Sequence, residues 1–264
     1  MTKLSKDKRI WIIGAAIALV LCVAAVFYIL LPKHTKISSI DLSGANFIQT
    51  MEAAPTEPIE NTIFVKRKQA LLNKFREHPD QLWSAFSDMN IVISGDSRGV
   101  GFSAYEYVDY NHNISQVSKT IYNIPENYEL LKALNPKIVI YTYGINDLGL
   151  YGQYGVAQYI TDLQSFVDTT RELIPGVDVY INSIPPCLPS EYARSPVWAE
   201  IPAWNVVIKK YCEEHAIHYI DIQDLCDSHP EMYNDDGVHF HDEFYPLWGS
   251  EIITQIVNDQ INEG

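Results

Sequence analysis

Three short stretches of this sequence hold residue types that can do covalent chemistry together. The first, Gly95-Asp96-Ser97-Arg98-Gly99, follows the apolar run Ile91-Val92-Ile93-Ser94. A serine on a tight turn from strand to helix exposes its hydroxyl, and the helix N-terminus favours negative charge beside it. Taken alone, the stretch reads as well as a helix N-cap on Asp96 or Ser97. The second is Asn146, in Tyr141-Thr142-Tyr143-Gly144-Ile145-Asn146-Asp147. An asparagine at a strand terminus can aim an amide donor into a site, and as readily forms an ordinary Asn-Asp turn. In the third, Tyr233-Asn234-Asp235-Asp236-Gly237-Val238-His239-Phe240, an acid stands three residues before a histidine. Such an acid can fold back onto one ring nitrogen and leave the other to take a proton from a serine. By itself this third stretch is a polar surface turn.

The same region invites a metal. His229, Asp235, Asp236, His239, His241 and Asp242 lie close together, and His-x-His with an aspartate can ligate zinc. A calcium loop fails because Met232 sits where the first acidic ligand belongs. Two aromatic stretches are also candidates for the site. Tyr141, Tyr143, Tyr151, Tyr154 and Tyr159 flank Asn146, and Pro185, Pro186, Pro189, Trp198, Pro202 and Trp204 form the other. Sugar faces and acyl chains pack on such walls, and so do the buried anchors of a proline-stiffened loop. Tyr143, Trp198 and Arg98 are taken as candidate substrate contacts.

The elements that must position these residues alternate along the chain. Short apolar runs at Asn90–Ser94, Lys137–Tyr143, Val177–Ser183 and His218–Ile222 read as strands. Between and after them Glu126–Leu134, Val156–Leu173, Trp204–His215 and Leu247–Asn262 read as helices. An amphipathic helix is expected over Glu60–Glu77, with Ile63, Phe64, Ala70, Leu71, Leu72 and Phe75 on its apolar face and His78-Pro79 ending it. This alternation predicts an α/β fold, a central parallel sheet covered on both faces. Ligands in such sheets bind beyond the carboxyl ends of the strands, where the three stretches fall.

Together, in this order and at these places, the stretches resemble the SGNH hydrolases, the GDSL esterase/lipase family. Gly95-Asp96-Ser97 is similar to the family's first block, Gly144-Ile145-Asn146-Asp147 to its third and Asp236-Gly237-Val238-His239 to its fifth, and Glu243-Phe244-Tyr245-Pro246-Leu247-Trp248 continues as family members do. The resemblance spans about residues 89–262 and implies a three-layer α/β/α sandwich of flavodoxin-like type. It implies Ser97 as nucleophile, His239 as general base and Asp236 as the group orienting the imidazole. It also implies an oxyanion hole from the Ser97 backbone N–H and the Asn146 side chain, with a further backbone N–H from the second block. There the sequence departs from the family: Gln116, in Asn113-Ile114-Ser115-Gln116-Val117-Ser118, stands where glycine is expected, so the geometry of that donor is in question. Arg98 replaces leucine and puts a charge beside the nucleophile. A competing pattern, the G-x-S-x-G elbow of α/β-hydrolases, is also met, but only one clear strand precedes Ser97 and the acid lies three residues from the histidine. With Ser97 and Asn146 accounted for as a hydrolase site, no metal or other cofactor is expected.

The chain has 264 residues, 33 acidic against 19 basic side chains and a net charge of −14. This balance opposes nucleic-acid binding, which needs a basic face. Four cysteines are too few for a disulfide scaffold. Ile10 to Leu31 carries no charge and is long enough for a helix to cross a hydrocarbon core of about 30 Å. Lys3, Lys6, Lys8 and Arg9 precede it, which keeps that end in the cytoplasm and the rest outside. A cleaved signal peptide is the alternative, but no small-x-small site follows the run. The expected organisation is therefore a cytoplasmic 1–9, a transmembrane anchor 10–31, a stalk 32–58 and a hydrolase domain 59–264. The expected activity is hydrolysis of an O-acyl ester, most simply O-acetyl on an extracytoplasmic saccharide, by a membrane-held serine esterase. An O-acyltransferase and a non-catalytic binding module on the same scaffold are the alternatives.

Overall fold

The computed structural model describes residues 57–152 and 155–263. The expected anchor and almost all of the expected stalk lie outside the described residues, as does Tyr154. Among the described residues no helix is long and apolar enough to cross a membrane.

Four strands, β1 (Ile91–Gly95), β2 (Ile138–Thr142), β3 (Asp178–Asn182) and β4 (His218–Ile220), pair in parallel in the order β1-β2-β3-β4. β1 and β2 are buried along their whole length, as strands covered on both faces must be. Their side chains alternate between two separate cores. Val92, Val139, Tyr141, Val179 and Ile181 enter one; Ile91, Ile93, Ile138, Ile140, Tyr180 and Ile220 enter the other. This period of two is why the runs read as continuously apolar.

Nine α-helices and four short 3₁₀ turns accompany the strands among the described residues. α1 (Glu57–Glu77), α2 (Pro79–Asp88) and α9 (Phe244–Glu263) supply Phe75, Leu82, Phe86, Trp248 and Ile252 to the second core. α4 (Tyr128–Leu134), α6 (Gly155–Leu173) and α7 (Ile201–Glu214) supply Leu131, Leu163, Val167, Trp204 and Ile208 to the first. The remaining three, α3 (Ser97–Ala104), α5 (Ile145–Tyr151) and α8 (Gln223–Ser228), are short and follow β1, β2 and β4 directly. The expected amphipathic face of α1 holds only toward its C-terminus: Phe75 is buried, whereas Ile63 is 42% exposed.

β1 is not the edge its place in the order suggests. His112–Gln116 runs along its free side: Ile93 N–H donates to His112 O (2.8 Å), Ile114 N–H to Ile93 O (2.8 Å) and Gln116 N–H to Gly95 O (3.0 Å). The chain leaves β1 toward one side and then returns to β2 on the other. The crevice at the end of β1 is thus the switch point where sheets of this kind bind ligands.

Candidate active site

Ser97 is the first residue of α3, immediately after β1, and is partly exposed. Asp96 caps the helix, its Oδ1 accepting from Arg98 N–H at 3.0 Å. The N-cap reading therefore holds for Asp96 without displacing Ser97. The helix can begin so close to the strand because three glycines make room. A Cβ on Gly95 would lie 1.8 Å from Thr142 Oγ1, one on Gly99 2.6 Å from Ser115 Oγ, and one on Gly101 1.9 Å from the Tyr245 ring.

Ser97 Oγ lies 2.9 Å from His239 Nε2, and His239 Nδ1 lies 2.6 Å from Asp236 Oδ2. Asp236 Oδ1 accepts the backbone N–H groups of Val238 and His239, both at 2.9 Å. Partial burial alone would raise the Asp236 pKa. The hydrogen bonds from the His239 ring and the two N–H groups outweigh it and hold the carboxyl at about 2. An ionised acid on Nδ1 fixes the tautomer with Nε2 free to accept the serine proton. His241 is exposed and pairs through its backbone N–H with Met232 O, away from this relay. Among the described residues no group of three His, Cys, Asp or Glu side chains is placed to hold a metal ion.

Asn146 sits in the first turn of α5, four residues beyond the end of β2 rather than at a strand terminus, and is partly exposed. Its Nδ2 donates to Lys119 O at 2.9 Å, which leaves the second amide hydrogen for another acceptor. The Ser97 N–H has no acceptor within its helix, being at the first helical position. Gln116 departs from expectation. Its backbone N–H is spent on Gly95 O, continuing the bridge along β1, and so is not an oxyanion donor.

Two of the three expected substrate contacts are inside the protein. Arg98 is 1% exposed; its Nη1 donates to Pro185 O, and its Nη2 lies 3.6 Å from Asp96 Oδ2. Tyr143 is 3% exposed, with its hydroxyl 2.9 Å from Ser94 Oγ and its ring in the first core. Tyr141, Tyr151 and Tyr159 are core residues as well. Trp198 is half-buried under Arg194, whose guanidinium carbon stands 4.9 Å from the ring centroid.

Arg194, which no motif singles out, also reaches the relay. It donates to Asp236 O at 3.2 Å and pairs with Glu191 at 3.4 Å. Leu188 N–H on Gly237 O (2.8 Å) and Tyr233 OH on Pro186 O (2.8 Å) fasten the same proline-rich segment to the Asp-His loop. Asp147 is a second such residue. It is fully buried and accepts Ile121 N–H at 3.0 Å, holding the segment after Gln116 against α5. Burial, and then the charge of Asp96, push its carboxyl up to about 7 against the pull of Ile121 N–H and Arg98. The only available signal was its place beside Asn146.

The sequence matches the model of the GDSL-like lipase/acylhydrolase family over residues 95–247, more than half of the chain. Among the curated proteins none matches. Solved structures of similar fold include a GDSL-like lipase from Bacteroides thetaiotaomicron, 17% identical, covering 66% of this chain and 90% of that one with a TM-score of 0.52. A lipase/acylhydrolase from Enterococcus faecalis is 19% identical over 64% of this chain and 95% of that one, TM-score 0.50. A carbohydrate esterase family 3 protein from Talaromyces cellulolyticus is 18% identical over 66% and 98%, TM-score 0.50. The chain therefore belongs to the GDSL-like lipase/acylhydrolase family and is a serine hydrolase of the esterase type.

Proposed function

We propose that this protein hydrolyses a short O-acyl ester, O-acetyl in the first instance, carried by an extracytoplasmic saccharide, and that residues 10–31 hold it in the membrane. The observation that carries the reading is the continuous relay from Ser97 Oγ through His239 to Asp236, with separations of 2.9 and 2.6 Å. Ser97 Oγ attacks the ester carbonyl while His239 Nε2 takes the hydroxyl proton. The tetrahedral oxyanion is stabilised by the Ser97 N–H and the Asn146 amide. His239 returns the proton to the departing sugar oxygen, leaving the acyl group on Ser97. Water, deprotonated by the same nitrogen, then releases the acid and regenerates the serine. Asp236 stays ionised throughout and stabilises the imidazolium. A saccharide carrier is supported by the name of the Talaromyces neighbour, and the extracytoplasmic place by the basic flank before Ile10.

Gln116 favours one other reading, because it removes a donor from the oxyanion hole: a binding module that has lost turnover. Labelling with a fluorophosphonate, followed by peptide mass mapping, separates the two. The esterase reading expects a covalent adduct on Ser97 and release of nitrophenolate from 4-nitrophenyl acetate. Absence of both would move the assignment to a binding module.

A further inference from the structure

We propose that the cleft between the end of α5 and α6 is a subsite for an uncharged sugar ring of the ester-bearing saccharide, an inference that rests on the esterase reading above. A cavity of about 370 Å³ is lined there by Tyr122, Leu150, Tyr151, Gln158 and Asp162. Tyr122 is 49% exposed and Leu150 55% exposed, so apolar surface faces the opening. The Tyr122 ring is backed by Tyr151, nearly parallel at 5.7 Å, and meets Phe166 edge-on at 6.1 Å. Its position is therefore fixed before anything binds, and an exposed aromatic face held in this way suits the C–H face of a pyranose.

Asp162 supplies the polar half of the cleft. Its Oδ2 accepts from Tyr122 OH (2.6 Å) and Tyr151 OH (2.8 Å), and its Oδ1 from Gln158 Nε2 (3.0 Å). A carboxylate has about four acceptor sites, so one remains on Oδ1 for a sugar hydroxyl. Burial works against the charge, but these three hydrogen bonds outweigh it and keep the carboxyl below the ordinary range, hence ionised. A fixed negative charge in an acidic protein repels uronates, sulfates and phosphates and accepts neutral hydroxyls.

The cleft is placed to serve the ester site. Leu150 lies four residues beyond Asn146 on α5, a rise of about 6 Å. Lys119 O accepts the Asn146 amide, and Tyr122 follows three residues later, at most about 11 Å along the chain. Ile121 N–H on Asp147 locks that stretch to α5. A ring seated on Tyr122 is thus within one or two linked sugars of an acyl group at Asn146.

The test uses the purified full chain in detergent, with 4-nitrophenyl acetate and mono-O-acetylated xylotriose as substrates and plain xylotriose as a binding probe in saturation-transfer NMR. Tyr122→Ala should lower the ratio of kcat/KM for the trisaccharide ester over the aryl ester at least tenfold, through KM. Leu150→Asp, at an exposed position, should act in the same direction. Tyr122→Phe, which keeps the ring, should stay within about threefold of wild type on that ratio. Xylotriose should bind wild type and not Tyr122→Ala, and trigalacturonate should not bind. An unchanged ratio in both Tyr122→Ala and Leu150→Asp, with melting curves like wild type, overturns the subsite, as does equal binding of trigalacturonate. Turnover of the aryl ester without binding of xylotriose, cellotriose or chitotriose removes the subsite and leaves the esterase intact. If no ester is turned over and Ser97 resists labelling, the esterase reading fails, and the NMR comparison of wild type with Tyr122→Ala decides the subsite alone.

Discussion

In the proposed mechanism Ser97, His239 and Asp236 act as a unit, so removal of any one should cost most of the rate. Ser97→Ala removes only an oxygen at a partly exposed turn position. It should fold as wild type while kcat falls on the order of 10⁴-fold; a folded variant with near-wild-type turnover would show that another nucleophile is at work. His239→Gln and His241→Gln form a sharper pair. The two positions share a face in an extended segment, yet only the His239 ring touches both Ser97 and Asp236. A larger kinetic defect at His241 would reverse the assignment of the base. Asn146→Ala should lower kcat on the order of 10²–10³-fold with little change in KM, because its amide is needed when charge develops on the carbonyl oxygen. A change confined to KM would place Asn146 in ground-state binding instead. Ser97, His239 and Asp236 were legible as a group because each sits in a local pattern that the fold brings within hydrogen-bond distance of the next. Arg98 and Tyr143 were misplaced for the opposite reason. Sequence spacing locates a Cα, whereas which way the side chain points is decided by partners far along the chain: Pro185 O for Arg98 and Ser94 Oγ for Tyr143. Gln116 shows the same limit for a backbone donor, since the position was found and its hydrogen-bond partner was not.

At the level of elements, the long periodic segments were readable and the short ones were not. β1, β2 and β3 lie within a residue or two of the expected runs, because strands buried on both faces write uninterrupted apolar stretches. α2, α5 and α8 went unread, having 10, 7 and 6 residues and little room for periodicity. The pairing of His112–Gln116 beside β1 was equally invisible: three backbone bonds, two at Ile93 and one at Gly95, create it, with no run of strand formers to announce it. α5 carries a consequence of its own. Asp147 at its start is buried, with a folded pKa of about 7 against about 4 in the unfolded chain. Between those values the folded state holds the extra proton, so this group's contribution to stability is full below about pH 4 and is lost as pH rises through about 7. Asp147→Asn should therefore flatten the fall in Tm between pH 5 and 8 relative to wild type. The contribution at stake is at most on the order of 4 kcal/mol. Parallel Tm-against-pH curves for the two proteins would mean that Asp147 is ionised throughout. At α3 the constraint is steric. Gly101→Ala would drive a methyl into the Tyr245 ring, whose hydroxyl donates to Arg98 O at 2.9 Å. It should destabilise by about 1–3 kcal/mol, read from denaturant midpoints, and lower activity with it, since Tyr245 steadies the turn that bears Ser97. A wild-type midpoint would show that the ring yields at no cost.

For the whole molecule, the question is where this acidic hydrolase works, and the argument turns on charge and length. A net charge of −14 keeps the protein off polyanions and anionic surfaces, so attraction to headgroups cannot hold it at a membrane. The uncharged run from Ile10 to Leu31 can do so by burial instead, at a length that suits a hydrocarbon core of about 30 Å. Lys3, Lys6, Lys8 and Arg9 before it outnumber Lys33 and Lys36 after it, the asymmetry behind the proposal that the catalytic residues face outward. Expressed in a bacterial host, the full chain should pellet with membranes and resist carbonate extraction. Protease added to spheroplasts should digest the part containing Ser97 while a tag ahead of Lys3 survives. Deleting residues 1–32 should release a soluble protein whose kcat on 4-nitrophenyl acetate stays within about twofold, because both hydrogen bonds of the Ser97–His239–Asp236 relay are made within residues 97–239. Replacing Lys3, Lys6, Lys8 and Arg9 by neutral residues should weaken the outward bias and leave a protected fraction. A full chain found in the soluble fraction with its N-terminus shortened past Leu31 would instead identify the run as a cleaved signal, and the esterase as a secreted one.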